Sequence, residues 1–132
     1  MNSLDIFQNA AALCITDADI TSSEYESFVV EQINKTLKET LRANNVVRRR
    51  KGLPSLRKVP KITSVGDEIE YEIELYAPLS YALAAKMLIA EGRMRSLAYY
   101  YNRNYINLTT AIIETEEQQK REERKKFTKK KS

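Results

Sequence analysis

Apolar residues recur every three to four positions along most of this chain, and only one segment breaks into strict alternation. Leu4, Phe7, Ala11 and Cys14 predict a short apolar helix over residues 4–14, followed by the acidic loop "TDADITSS". Ser23, with Glu26 three residues on, reads as a capping box in which hydroxyl and carboxylate satisfy the first amides of a helix. Tyr25, Val29, Ile33, Leu37 and Leu41 then recur every four residues, with Phe28 and Val30 widening the stripe. They predict a helix running to about Arg50, where Gly52 and Pro54 end it.

"GLPSLRKVPKI" contains two prolines and reads as an extended connector. In "SVGDEIEYEIELY", Ile69, Tyr71, Ile73 and Leu75 alternate with glutamates, the period of a half-exposed strand. Val65-Gly66-Asp67 would turn that strand back on a partner at Val59 to Thr63. Two strands are marginal in water, so such a hairpin must lean on helices or pair with another copy. A helical reading of 68–76 stays open, because glutamate favours helices. Pro78 suits the first turn of a further helix, which Tyr81, Ala84, Ala85 and Leu88 carry to about Glu91. Gly92 breaks it. The last helix begins near Arg93, continues at least to Ile113 and then frays through "EEQQKREERKKFTKKKS".

That last helix contains "MRSLAYYYNRNY", three adjacent tyrosines and a fourth four residues on. Successive helical residues point about 100° apart, so the three cannot share one stripe. Met94, Leu97 or Ala98, Tyr101, Tyr105, Leu108 and Ile112 form one apolar stripe; Tyr99, Ile106 and Ile113 form a second, rotated by about 100°. Two readings stand: a single broad stripe buried between several helices, or one stripe on the core and the other against an identical subunit. Tyrosine, with a polar tip on a large ring, suits the second role.

Charge is strongly segregated behind a net of +4. Residues 1–41 carry seven acids and two lysines, 42–61 eight bases and no acid, and 62–77 five acids and no base. Residues 78–119 balance, and 120–132 hold eight bases and two acids. Alternating blocks of this kind predict complementary contacts within the chain or between copies. The cations Arg48, Arg49, Arg50 and Lys51 suit a helix C-terminus, and beyond that would meet phosphates or the Glu68 to Glu74 face. The tail reads either as a solvated end or as an arm that orders on a partner, with Phe127 as its apolar anchor.

The residues offer little for catalysis. There is no histidine, a single cysteine and only three glycines, so zinc spacing, phosphate-cradling loops and the usual general base are missing. No catalytic, cofactor-binding or metal site is assigned. Cys14, in "AAALCI", reads as a buried, inert thiol. "YALAAKMLIA", the most apolar stretch, carries Lys86 and falls short of the roughly 20 residues a bilayer span needs. With no secretory signal visible, the expectation is a soluble protein made in a cytoplasm, where the sequons at Asn34 and Asn107 carry no meaning.

At residues 67–109 the pattern resembles the head–tail connector proteins of tailed bacteriophages, also called adaptor, neck or head-completion proteins. The residues that carry the resemblance are Asp67-Glu68-Ile69, then Tyr81-Ala82-Leu83-Ala84-Ala85, then Ala98 with Tyr101 in an "A-x-x-Y" pattern. The loop "AEGRMR" is more basic than is usual there, and the Arg48 to Lys51 cluster is not a hallmark of the family. The resemblance implies a mainly α fold: a small bundle of about four helices over 1–113, with a β-hairpin or long loop at about 53–77, and a charged C-terminal arm over 114–132. It implies a structural virion protein, not an enzyme, forming a ring of usually twelve copies beneath the portal, joining capsid to tail and helping to retain packaged DNA. Its partners would be sister copies, the portal, a tail or stopper protein and, non-specifically, DNA in the channel, with no membrane involved. The expected subunit interface is Tyr99, Ile106, Ile113, Tyr71 and Ile73; the expected portal or partner contacts are Arg48, Arg49, Arg50, Lys51, Arg124, Lys125, Lys126 and Phe127. The competing reading is a small basic nucleic-acid-binding regulator, and a third is a chaperone or scaffold that forms no ring.

Overall fold

The apolar repeat of residues 25–41 does form the long helix it predicts. The structure, a computed structural model, describes residues 1–17 and 19–131; Ala18, in the acidic loop, and Ser132, at the end of the expected arm, lie outside the described residues. Four helices follow in order: α1 (Ser3–Leu13), α2 (Ser23–Arg50), α3 (Tyr76–Ala90) and α4 (Arg95–Lys131), with a short 3-10 turn at Ile73–Leu75 leading into α3. The cap of α2 is Ser22, one residue before the expected one: its hydroxyl accepts the Tyr25 N–H at 3.1 Å, so no Ser23–Glu26 capping box forms. Both expected glycine stops are present. Gly52 and Gly92 take φ of +74° and +65°, which lets Leu53 N–H reach the Arg48 carbonyl at 2.8 Å and Arg93 N–H the Leu88 carbonyl at 3.1 Å.

Helix α3 lies at the centre. Pro78, Leu79, Ala82, Leu83, Ala84, Ala85, Met87 and Leu88 are all buried, so its sides face α1, α2 and α4 together. The stretch Ile73–Ala90 is longer than the ten-residue run read from the sequence, and by length and composition it matches a membrane span. Here 56% of it is buried inside the bundle, as a core helix. Helix α1 contributes Ile6, Phe7, Ala10 and Ala11 to the same core. Cys14 joins them: its thiol donates to the Ala84 carbonyl at 3.4 Å, and burial pushes its pKa up to about 11, which keeps it protonated and unreactive.

The expected β-hairpin does not form. Among the described residues the only bridge is an isolated one between Asn2 and Glu68. The connector nonetheless runs down α2 and back, held by side-chain amides. Asn45 accepts from Leu56 N–H (2.8 Å) and donates to the Leu56 carbonyl (3.1 Å); Asn34 does the same at Ile62, both at 2.9 Å. Each asparagine thus presents the donor and acceptor that a neighbouring strand would have offered. Asn34 and Asn45 are eleven residues apart, three turns and about 16 Å of helix, and the six residue steps from Leu56 to Ile62, bent at Arg57 and Lys58, are enough to cover that length.

The chain turns at Ser64–Asp67 and returns. Asp67 accepts from the N–H and hydroxyl of Thr63 (2.9 and 3.1 Å) and of Ser64 (both 3.1 Å). On the return, Ile69 exchanges backbone hydrogen bonds with Met1 (2.6 and 3.1 Å), and Glu72 N–H donates to Asn44 Oδ1 at 2.8 Å. The alternation holds in part: Ile69, Tyr71 and Leu75 are buried, but the 3-10 turn shifts the phase and leaves Ile73 68% exposed.

Two outcomes follow from this clamp. Replacing Asn34 or Asn45 by Ala leaves a connector N–H and carbonyl without partners, and each change should cost about 1–3 kcal/mol, read by urea denaturation together with faster amide exchange at Ile62 or Leu56. Unchanged midpoint and exchange would show the amides to be dispensable. The donors on Asp67, the Thr63 N–H foremost, lower its pKa to about 2. Since that lies below the unfolded value of about 3.9, the turn's contribution is whole above pH ~4 and lost as pH falls towards 2. An NMR titration of Asp67 should therefore have its midpoint near 2; an ordinary carboxylate midpoint would overturn the account.

Candidate interaction surface

The tyrosines of α4 divide between two environments. Ala98, Tyr101 and Tyr105 are buried against the bundle. Tyr101 donates its hydroxyl to the Leu13 carbonyl at 2.7 Å and packs on Tyr81 with ring centroids 5.6 Å apart. The Tyr105 hydroxyl lies 3.4 Å from Glu39 Oε2; burial, then the Glu39 charge, raise its pKa, so it remains a donor. The hydroxyls of the inner stripe are thus used inside the chain.

The second stripe faces outward. Tyr99 is 68% exposed and Ile106 50%, while Ile113 is half-buried against the core. Sequence reasoning missed neighbours of this surface. Tyr100 is 57% exposed, and Ile89 and Met94, at the α3–α4 turn, are exposed as well. Met94 was expected on the inner stripe, but its φ of +48° places it in the turn before α4 begins. Leu108, also expected inside, is exposed because α3, fifteen residues and about 22 Å long, ends near that level of α4.

Tyr71 does not belong to any shared face. It is buried in the chain's own core, where its hydroxyl donates to the Leu37 carbonyl and burial raises its pKa to about 12. Ile73, its expected companion, is exposed at the far end of α3 from the α3–α4 turn.

The basic cluster closes on the chain itself. Arg48 donates to the Pro54 carbonyl at 2.7 Å and to Glu72 at 3.2 Å, in a pair only 13% and 16% exposed. Lys51 reaches Glu72 at 3.2 Å and Glu74 at 2.8 Å. Arg49 grips both oxygens of Glu116, at 2.9 and 2.8 Å, and this hydrogen-bonded pairing lowers the Glu116 pKa. Arg50 donates to the Ile112 carbonyl at 3.2 Å. Of the two expected destinations, phosphates or partner groups and the Glu68 to Glu74 face, Arg48 and Lys51 take the second through Glu72 and Glu74. Helix α4 brings Glu116 to Arg49 and a backbone carbonyl to Arg50.

Residues 114–131 are not an extended or fraying tail. They continue α4, with Glu116–Lys120 paired across one turn at 3.4 Å. The residues from Glu117 to Thr128, Arg124, Lys125, Lys126 and Phe127 among them, are exposed. Among the described residues no three of His, Cys, Asp and Glu converge as a metal site. Comparison with protein families, characterised proteins and solved structures finds no match to this chain.

The ion pairs therefore act in folding. Arg48→Ala leaves Glu72 largely shielded from water and should destabilise the protein by about 1–3 kcal/mol, whereas Arg57→Ala or Lys58→Ala, at exposed positions, should shift it by less than about 0.5 kcal/mol. Chemical denaturation separates them; equal effects at the three sites would refute the assignment.

Proposed function

We propose that this protein is a structural ring subunit of a tailed-bacteriophage neck, joining portal to tail and helping to retain packaged DNA. The observation that carries the reading is the outward stripe on α4: Tyr99, Tyr100 and Ile106 are exposed on a helix whose opposite stripe is buried in the core. Large aromatic and aliphatic side chains of this kind are characteristic anchors of protein interfaces. Ring formation supplies what would cover them, since head-to-tail contacts between two different surfaces of identical copies close when the rotation allows. The sequence resemblance at 67–109 supplies the biological setting: about twelve copies, portal on one side, tail or stopper protein on the other, made in a bacterial cytoplasm and resident in the virion. In that setting the helical arm 114–131 contacts the portal or a sister copy.

A second reading, a small nucleic-acid-binding regulator, draws on the basic run 120–131, which continues α4 and is exposed from Lys120 to Thr128. It requires duplex affinity falling steeply with salt.

Replacing Tyr99 and Ile106 together by Ser tests the first reading. Both side chains are exposed, so the variant should melt cooperatively, with stability within about 0.5 kcal/mol of the parent. Assembly onto isolated portal, followed by electron microscopy of particles with and without the protein, should lose the ring. Normal rings from this variant would refute the interface, and particles unchanged when the protein is left out would refute the function.

A further inference from the structure

The two ends of α4 carry opposite chemistry. Beside its N-terminal end lies a cleft of about 560 Å³ between the α1–α2 loop and the last turn of α3. Its floor is Tyr25, Phe28 and Met87, with the rings of Tyr25 and Phe28 stacked at 6.5 Å, and its rim is Asp17, Asp19 and Glu91 with no cation in the lining. Glu91 is engaged by Arg93 at 2.9 Å, so the surplus negative charge belongs to the two aspartates. At the other end, residues 120–131 hold eight bases and two acids on the continuing helix, whose side chains from Lys120 to Thr128 are exposed, Phe127 at 61%.

We propose that this acidic, aromatic-floored cleft receives the C-terminal helix of a second copy of this chain. The inference rests on the self-assembling reading above and names a contact that reading leaves open. The arm fits the cleft in both respects: its cations match the aspartates on the rim, and Phe127 matches the aromatic floor. The same chain cannot supply it. Tyr101 touches Leu13, close to the cleft, and Phe127 stands 26 residues further along one uninterrupted helix, about 39 Å away. The occupant therefore comes from another molecule. The contact joins one end of a subunit to the other end of the next, and in the ring reading it repeats head to tail. In a closed ring it would lay α4 along the circumference.

Full-length variants test this by charge exchange. Asp17→Lys with Asp19→Lys, and separately Lys125→Glu with Lys126→Glu, should each weaken self-association at low salt at least about tenfold, read by sedimentation velocity. An equimolar mixture of the two variants should recover association, because each restores the opposite partner of the other. In parallel, Thr21→Cys and Phe127→Cys chains are mixed at high concentration under oxidation; buried Cys14 does not compete. A Thr21→Cys with Phe127→Cys disulfide dimer is expected, and it reports the contact even where the free chain is mainly monomeric. Absence of that crosslink together with no recovery in the mixture overturns the proposal. So does an arm variant that loses duplex DNA binding while self-association is unchanged, which would assign the arm to nucleic acid. Failure here with loss of rings in the Tyr99 and Ile106 variant removes only the arm contact, whereas intact charge exchange with normal rings in that variant removes the α4 face alone.

Discussion

The fold depends on a helix doing the work of a strand. A connector of 25 residues between α2 and α3 forms no ladder, yet its backbone groups near the core need partners. Asn34 and Asn45 meet that requirement with paired donor and acceptor, and Asn44 adds an acceptor for Glu72. Asparagine is a poor helix interior residue because its side chain competes for backbone groups. In α2 that competition is turned outward, onto the backbone of another segment. The fit has a cost, since the Asn44 amide nitrogen is buried without a partner.

Much else follows from where the amides pin the connector. Its return leg passes the N-terminus, so Met1 to Ser3 bind residues 66–69 and α1 begins from a fixed point. The same leg carries Glu72 and Glu74 beneath the C-terminal end of α2, where Arg48 and Lys51 would otherwise crowd one another. The basic block at 42–61 and the acidic block at 62–77 are thus complements within one molecule, and Arg49 extends the same logic to α4 through Glu116. Once these blocks cancel, the strongest single-sign segment left on the surface is the end of α4.

What the sequence made legible was periodicity and punctuation. Helix α2 ends within a residue of the expected place because Gly52 supplies the left-handed backbone its termination needs, and Gly92 does the same for α3. The split of the tyrosines was legible too, since 100° per residue forces Tyr99 and Tyr101 apart. The hairpin was not. Alternation at 69–75 reports that one face is buried, but it is silent on what satisfies the backbone, and here that partner is an asparagine side chain or the N-terminus rather than a strand. For the Arg48 to Lys51 cluster the acidic 68–74 face was legible as one of two destinations, but the pairing of Arg49 with Glu116 was not, because it depends on how α4 packs beside α2. The tail, read as a fraying end either solvated or ordering on a partner, is exposed but helical: glutamates placed ahead of lysines and arginines at four-residue spacing, with cations towards the C-terminus, favour a continued helix.

The polarity of α4 bears on how copies can meet. A two-fold contact with the α4 helices antiparallel would seat each basic arm in the other copy's acidic cleft and use up both, leaving nothing for a third copy. A head-to-tail contact pairs unlike surfaces and repeats without exhausting itself, so every copy offers one arm and one cleft. Such a chain of contacts either closes or extends without limit, and closure is decided by the rotation between neighbours. The exposed stripe of Tyr99, Tyr100 and Ile106 runs along the side of the same helix, away from its charged end. On the proposed reading the end contacts set the order of subunits, and the side stripe, pressed against a neighbour, sets the angle between them. A single helix that is core on one side, greasy on another and cationic at its tip can carry both instructions.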